Sequence, residues 1–295
     1  MTDIFGIPIQ ALFGQLLLGL VNGSFYAMLS LGLAVIFGLL NVINFAHGAL
    51  YMLGAFIAWM GLSYLGLNYW VMLILAPLVV GLFGILIEKL LLKHLYKLDH
   101  LYGLLLTFGL TLLIEGLFRS FYGVSGQPYP TPEALRGATN LGFMVLPNYR
   151  GWVVAASVVV CLATWFVIER TRLGALLRAG TENPRLVEAF GVNVPRMITL
   201  TYGFGVALAG FAGVLAAPVL QISPLMGSNL IIVVFAVVVI GGMGSIMGAI
   251  VTGLGLGVIE GLTKVFWPEA SSTVVFIIMA IVLLLRPAGL FGKEK

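Results

Sequence analysis

Residues 11–39 read ALFGQLLLGLVNGSFYAMLSLGLAVIFGL, and this segment belongs to a charge-free stretch that extends over residues 4–87. So long an apolar run predicts a membrane-spanning helix. At 1.5 Å per residue, a helix over 11–39 would be about 43 Å long, whereas the hydrocarbon core of a bilayer is ~30 Å thick. We therefore predict a break or kink near Asn22 and Gly23 that shortens the crossing.

The composition of the whole chain excludes a water-soluble globular protein. Of its 295 residues, 61% are apolar and 9% are charged, with a mean hydropathy of +1.12, whereas soluble domains carry about 25% charged residues. We predict an all-α fold, a polytopic transmembrane helical bundle of about eight to ten spans with broken or re-entrant segments. The predicted spans form a single transmembrane domain over residues 1–295 and lie at 11–39, 48–66, 70–92, 101–121, 151–168, 197–219, 228–242, 246–265 and 273–286.

Lysines and arginines form three clusters that orient the bundle. Cytoplasmic loops of membrane proteins are enriched in these residues, so we predict that all three clusters face the cytoplasm and that the proline-rich loop at 122–150 faces outward. Three spans before Lys89 would place the N-terminus outside, and four would place it inside. The net charge of +4 thus indicates short basic loops rather than a nucleic-acid surface. The clusters are Lys89, Lys93 and Lys97; Arg170, Arg172, Arg178, Arg185 and Arg196; and Arg286, Lys293 and Lys295.

Small residues recur at every fourth position in two of the predicted spans. Such ladders form a smooth strip on which two helix backbones approach closely. Two alternatives remain at this point: packing of helices within one subunit, or a subunit interface or sliding seam. The ladders are Gly205, Ala209, Gly213 and Ala217, and Ser245, Ala249, Gly253, Gly257 and Gly261.

Charged residues are placed so that an ion-coupled carrier is disfavoured. Such carriers hold ionisable groups near the bilayer midplane, where a charge is costly and is kept for function. Here the acidic and basic residues of the spans lie near the segment ends, where their side chains are expected to reach the interface. These residues are Glu88, Glu115, Glu169, Glu260 and Arg286.

No catalytic motif of a membrane enzyme stands out, and we predict that the chain is not an enzyme. The three histidines form no zinc-binding His-Glu-x-x-His pattern. Residues 123–126 (GVSG) match the nucleophile signature of intramembrane serine proteases, but no histidine follows Ser125 to act as its base. A phosphate-binding P-loop is also absent from the sequence, so any nucleotide hydrolysis must come from another chain.

The uncharged segment at residues 41–48 (NVINFAHG) separates two apolar spans without a charge or a proline. Non-helical backbone at membrane depth is tolerated only where protein buries it or water lines it. We therefore predict a re-entrant or pore-lining turn, although a neutral His47 is also typical of a structural hydrogen bond. The candidate translocation path comprises Gln15, Asn22, Asn41, Asn44 and His47.

The basic segment at about 169–196 predicts two short helices outside the bilayer. Asn183 can cap the second helix, Pro184 suits its first position, and Gly191 lies past its end. An apolar stripe on this helix needs a cover, which is either the protein's own helix ends or a groove on a cytoplasmic partner. The stripe comprises Leu186, Ala189 and Phe190, while Arg185 and Glu188 stay polar.

Three motifs carry a resemblance to a known family: residues 38–48 (GLLNVINFAHG), the group RA at 178–179, NP at 183–184 and EAFGVN at 188–193, and residues 239–245 (VIGGMGS). Together they make the sequence resemble, over essentially its whole length, the permease subunits of bacterial ABC importers for branched-chain amino acids. Its length resembles the shorter of the two paralogous permeases that such systems pair. The expected location is therefore the bacterial inner membrane, as a multi-pass protein.

This resemblance implies a set of partners and a route for energy. The expected partners are a paralogous or identical permease, two cytoplasmic ATPase subunits, a periplasmic solute-binding protein and membrane lipid, with no cofactor in this chain because ATP is bound by the ATPases. Segment 169–196 would be the coupling region. Alternatives are a permease for urea or short amides and a stand-alone channel for a small neutral solute. The implied coupling residues are Arg178, Asn183, Pro184, Leu186, Glu188, Ala189, Phe190 and Gly191.

Overall fold

A computed structural model describes residues 3–4, 7–40, 44–96, 98–142 and 144–292, and these are mainly helical. Two short antiparallel hairpins complete the fold, β1 (Asp3–Ile4) with β2 (Ile7–Pro8) and β3 (Ala138–Asn140) with β4 (Val145–Pro147). Single 3₁₀ turns occur at Leu92–His94, Glu133–Leu135 and Pro268–Ala270. The α-helices are α1 (Ile9–Leu40), α2 (Ala46–Leu65), α3 (Tyr69–Leu90), α4 (His100–Tyr122), α5 (Asn148–Arg170), α6 (Arg172–Glu182), α7 (Pro184–Ala189), α8 (Val194–Ala216), α9 (Met226–Gly241), α10 (Ile246–Phe266) and α11 (Val274–Leu285).

The helix set confirms the predicted polytopic bundle. Within the described residues, seven helices are long and apolar enough to cross a membrane, namely α1 to α5, α8 and α10. Two further apolar helices, α9 and α11, are shorter. Every predicted apolar segment thus coincides with one helix, and the short segment at 228–242 is indeed the short helix α9.

Helix α1 runs without interruption for 32 residues, so a break near Asn22 and Gly23 was wrong, while the alternative of a kink there stays a prediction. The break was predicted from the length of the segment, which a tilted helix also accommodates. Gly23 serves close packing. A Cβ atom added at Gly23 would lie 2.9 Å from the carbonyl oxygen of Leu254 in α10. The glycine therefore lets two backbones touch while the α1 hydrogen-bond ladder continues through it.

Both small-residue ladders pack inside the chain, which confirms the intrasubunit alternative. In α10, added Cβ atoms at Gly253 and Gly257 would collide with the backbone of α1. In α8, a Cβ atom at Gly205 would lie 2.6 Å from Ile36 of α1. The glycine and alanine members of both ladders are buried, so α1, α8 and α10 form the centre of the bundle.

The described members of the three basic clusters lie at one end of the bundle, which we call the inner end. Glu88 at the end of α3 accepts a hydrogen bond from Thr199 near the start of α8, and α6 and α7 directly precede α8. The segment after Arg286 binds the end of α9, because the Leu290 amide donates to the Ile240 carbonyl at 2.8 Å. The last residues of α1 lie here as well, since Gly38 packs against Gly244.

The opposite end, which we call the outer end, carries the start of α1 and the loop at 122–150. Lys89 lies in the last turn of α3, the third helix of the chain, so the N-terminal end of α1 lies away from the basic clusters. This is the first of the two alternatives that the sequence left open. The positive-inside bias predicts that the inner end faces the cytoplasm.

Candidate functional site

The inner end carries the two short helices that the sequence predicted. The Asn183 side chain caps α7 by accepting a hydrogen bond from the Leu186 amide at 3.2 Å, and Pro184 occupies its first position. Gly191 follows the helix with a φ of 82°, a left-handed conformation that glycine adopts at little cost. The predicted boundaries of α7 are therefore confirmed, and Asn183, Pro184 and Gly191 define its two ends.

Helix α6 is anchored on the end of α5. The Arg178 guanidinium donates to the Ile168 carbonyl at 2.8 Å and lies 3.5 Å from the Glu169 carboxylate. Gly174 packs directly against the backbone of Ile168. Arg178 thus binds a carbonyl at the C-terminus of α5, where a cation is also favoured by the helix dipole. These contacts hold α6 against the end of α5, and α7 follows α6 directly in the chain.

The apolar stripe of α7 is not covered by any of the residues that the structure describes. Phe190 is 81% exposed and Leu186 is 55% exposed, while Ala189 and Glu188 are also exposed. Val187, which the sequence reading did not single out, is the residue of α7 that is buried. Val187 therefore lies on the face of α7 that packs against the rest of the chain, whereas the stripe residues Leu186, Ala189 and Phe190 are exposed.

Two of the predicted path residues meet in the buried turn that leads into α2. The Asn44 amide donates to the Tyr202 hydroxyl at 3.0 Å, and the His47 Nε2 lies 3.0 Å from the Leu29 carbonyl oxygen. Both side chains are fully buried, and neither Asn44 Oδ1 nor His47 Nδ1 has a partner among the described residues. Buried polar atoms are normally paired, so these two atoms are exceptions to that rule.

The other path candidates lie elsewhere. Gln15 and Asn22 are half-buried on α1, and the Gln15 backbone packs against Gly261 toward the outer end. Asn41 lies outside the described residues. Asn44 and His47 therefore lie together in the turn into α2, whereas Gln15 and Asn22 lie apart from them on α1.

The prediction that all acidic residues reach the interface was wrong for Glu88 and Glu115. Glu88 is 1% exposed and accepts hydrogen bonds from Tyr96 and Thr199 at 3.0 and 2.7 Å. Glu115 is 5% exposed and is bonded to Ser228 of α9. Contacts with neighbouring helices, which the sequence does not reveal, hold both carboxyl groups inside the protein. Burial and the nearby Glu88 carboxylate raise the pKa of Tyr96, which lies in the loop after α3.

An apolar cleft of about 180 Å³ lies between α1, α4 and α9 toward the inner end. The rings of Phe45 and Phe235 meet there with centroids 4.6 Å apart. Phe45 connects the cleft with the buried turn, because its ring lines the cleft and its backbone belongs to the turn. The Phe45 amide donates a hydrogen bond to Thr107 of α4 at 3.2 Å. The lining includes Leu33, Phe37, Phe45, Leu104, Phe235 and Met243.

At the outer end, the loop at 122–150 folds back on the bundle. Gln127 forms a β-bridge with Ile222. Tyr129 is buried, and its burial, together with the nearby Tyr69, raises the pKa of the Tyr129 hydroxyl to about 12. Ser125, the residue of the protease-like motif, is exposed beyond the end of α4. His100 lies at the opposite end of the same helix, so about 33 Å of helix separates this histidine from Ser125.

The chain matches the family described as "Branched-chain amino acid transport system / permease component" over residues 15–284. The branched-chain amino acid permease BraD of Pseudomonas aeruginosa is 31% identical over 95% of this chain and 96% of its own length. The permease LivH of Escherichia coli is 28% identical over 95% of this chain and 96% of its own length.

A longer relative is also similar. The permease LivM of Escherichia coli is 30% identical over 92% of this chain, which covers 68% of LivM. This chain therefore corresponds to the shorter of the two permease types. No solved structure matches significantly. From the extent of the family match and the helical membrane fold, the chain belongs to the branched-chain amino acid transport permease family.

Proposed function

We propose that this chain is the permease subunit of a bacterial ABC importer, and that it passes branched-chain or other neutral amino acids across the inner membrane. A solute-binding protein delivers the amino acid to the outer end, and two ATPase subunits drive the helices from the inner end. The chain itself supplies no catalytic residue. A second permease, paralogous or identical, completes the path.

The uncovered apolar face of α7 is the observation that carries this proposal. Phe190 and Leu186 project from α7, which Asn183 caps and which directly follows α6, the helix that Arg178 anchors on α5. Fully burying a Leu or Phe side chain contributes about 1.5–3 kcal/mol each, so two such residues provide useful docking energy. A rigidly held helix with such a face suits a groove on a partner that moves it.

The interior suits a solute with an aliphatic side chain and small polar groups. The apolar cleft lined by Phe45 and Phe235 is adjacent to the turn that holds Asn44 and His47 with unpartnered polar atoms. The relatives' names identify them as branched-chain amino acid permeases. Leucine is therefore the solute we expect this chain to transport.

Transport of leucine into vesicles tests this function. The complete importer, assembled with its two ATPases, second permease and binding protein, should accumulate leucine only when ATP is hydrolysed at the inner end. The purified chain alone should transport no leucine into the same vesicles. Passive leucine or urea flux through the chain alone would contradict the proposal and favour a channel, and urea accumulation without leucine accumulation would redirect the substrate.

A further inference from the structure

Glu115 is a buried acidic residue for which the proposed mechanism has no role so far. It lies in α4 seven residues before the helix ends at Tyr122, or about 10 Å below the outer end. Its side chain faces α9, where Ser228 is its hydrogen-bond partner. A carboxyl group at this depth is costly and normally marks a path for substrate or ions.

Glu115 has no cation beside it within the parts of the chain that the structure describes. The ion pairs found there join Arg136 to Glu133, Arg178 to Glu169 and Lys264 to Glu260. Arg119, one turn further along α4, is exposed and forms no ion pair with Glu115. The described chain therefore provides no cation that pairs with this buried carboxylate.

Glu88 provides a contrast within the same bundle. It is buried to a similar degree, but two hydroxyl groups, from Tyr96 and Thr199, donate to its two oxygens. Glu88 therefore has the surroundings of a structural carboxylate. Among the described residues, Glu115 accepts one hydrogen bond, which Ser228 donates to its Oε1 atom.

The surroundings of Glu115 form a polar stripe on an otherwise apolar helix. Thr107, Thr111 and Glu115 are spaced four residues apart and are buried, whereas Leu112 and Leu117 on the other faces are exposed. Residues at this spacing share one helix face. At the inner end of the stripe, Thr107 contacts the Phe45 amide and so reaches the turn that contains Asn44.

We propose that Glu115, oriented by Ser228, binds the α-ammonium group of the amino acid as it passes between α4 and α9. This inference rests on the proposed function. A zwitterionic solute brings the one cation that the site lacks, and a charged hydrogen bond between ammonium and carboxylate is about twice as strong as a neutral one. The polar stripe then leads the solute from this point toward Asn44.

The variant Glu115→Gln separates this binding role from a structural one. The amide keeps an oxygen that accepts the Ser228 hydrogen bond, but it removes the negative charge. In the complete importer, leucine uptake per assembled complex should fall about tenfold or more, as expected for losing a hydrogen bond to a charged group. Thermal stability and the amount of assembled complex should match those of the wild-type importer.

Two further variants and a control sharpen the test. Glu115→Asp retains the charge and should recover part of the uptake, and Ser228→Ala should reduce uptake less than Glu115→Gln. Glu269→Gln removes an exposed carboxylate from the outer turn after α10 and should leave uptake unchanged.

Wild-type uptake by Glu115→Gln would overturn the inference, and so would loss of assembly in that variant, since the amide preserves the hydrogen bond. Both results leave the proposed function intact if the wild-type importer accumulates leucine. Failure of the wild-type importer to accumulate leucine would instead refute the proposed function itself.

Discussion

The seam between α1 and α10 and the face of α7 are both made of apolar or small residues, but the chain treats them in opposite ways. Along the seam, Gly257 lies against the backbone of Gly19 and Gly23, and no side chain separates the two helices. On α7, Phe190 is 81% exposed and is covered by no part of the described chain. The seam is closed within one subunit, and the α7 face is left open.

The seam holds the subunit together, and the α7 face is the surface that we propose connects it to a partner. Helices in a membrane gain no hydrophobic energy from meeting each other, so close backbone contact must supply the attraction. Outside the bilayer, water surrounds α7 and the hydrophobic effect can act when a partner covers it. Substitutions at the seam should therefore affect folding, and substitutions on α7 should affect partner binding.

The largest effect is expected at the seam. In Gly257→Val, the new side chain would press on the Gly23 backbone, and its Cβ would lie 2.5 Å from the Gly19 carbonyl oxygen. We expect overpacking to cost more than the ~1–3 kcal/mol typical of cores, because backbone cannot rotate away. Thermal unfolding in detergent measures this loss. Gly255→Val is the matched control on the same helix, where an added Cβ meets nothing within 4 Å.

The second largest effect is expected to be loss of ATPase binding. Phe190→Asp places an unpaired charge in the proposed apolar contact, so the ATPase should no longer co-purify while the spans stay folded. Phe121→Asp makes the same change at a phenylalanine that is 79% exposed near the outer end, and it should not affect ATPase binding. Equal retention of the ATPase by both variants would exclude α7 as the docking element.

A smaller effect is expected in the buried turn. Asn44→Leu removes an unpartnered oxygen together with the amide that donates to Tyr202, so uptake should fall several-fold while assembly changes little. Tyr202→Phe removes the same hydrogen bond but leaves the Asn44 side chain. If Tyr202→Phe reduces uptake as much as Asn44→Leu does, the asparagine acts through its hydrogen bond and does not line the path.

The smallest effect concerns the end of α7. Gly191 has a φ of 82° and open space around it, so Gly191→Ala introduces backbone strain of about 1 kcal/mol without a clash. The affinity for the ATPase should fall by roughly fivefold if that strain displaces the helix. Gly109→Ala lies in the middle of α4 with free space and should leave the affinity unchanged.

Local patterns in the sequence predicted the elements well. Apolar runs identified the spanning helices, and the Asn183, Pro184 and Gly191 signals identified α7. These features depend on residues that are close in the chain. The length of one apolar run also predicted a break near Gly23, whereas the actual role of Gly23 depends on Leu254, which lies far away in sequence.

Long-range contacts also explain what was missed in the site. A carboxylate near the end of an apolar segment looks able to reach water, and only the structure shows that Glu115 is buried and bonded to Ser228 of α9. Likewise, Val187 could not be recognised as the buried residue of α7 from its neighbours in the chain. The four-residue spacing of Thr107, Thr111 and Glu115 was the signal that could have drawn attention to this face of α4.

Thiol labelling at position 190 tests most directly whether energy enters through α7. The native Cys161 is the one cysteine of the sequence and is 2% exposed, so Cys161→Ala gives a clean background for Phe190→Cys. The new thiol should react with a membrane-impermeant reagent only from the cytoplasmic side, and it should be protected when the ATPase binds. Labelling from the outer side, or equal labelling with and without the ATPase, would contradict the account.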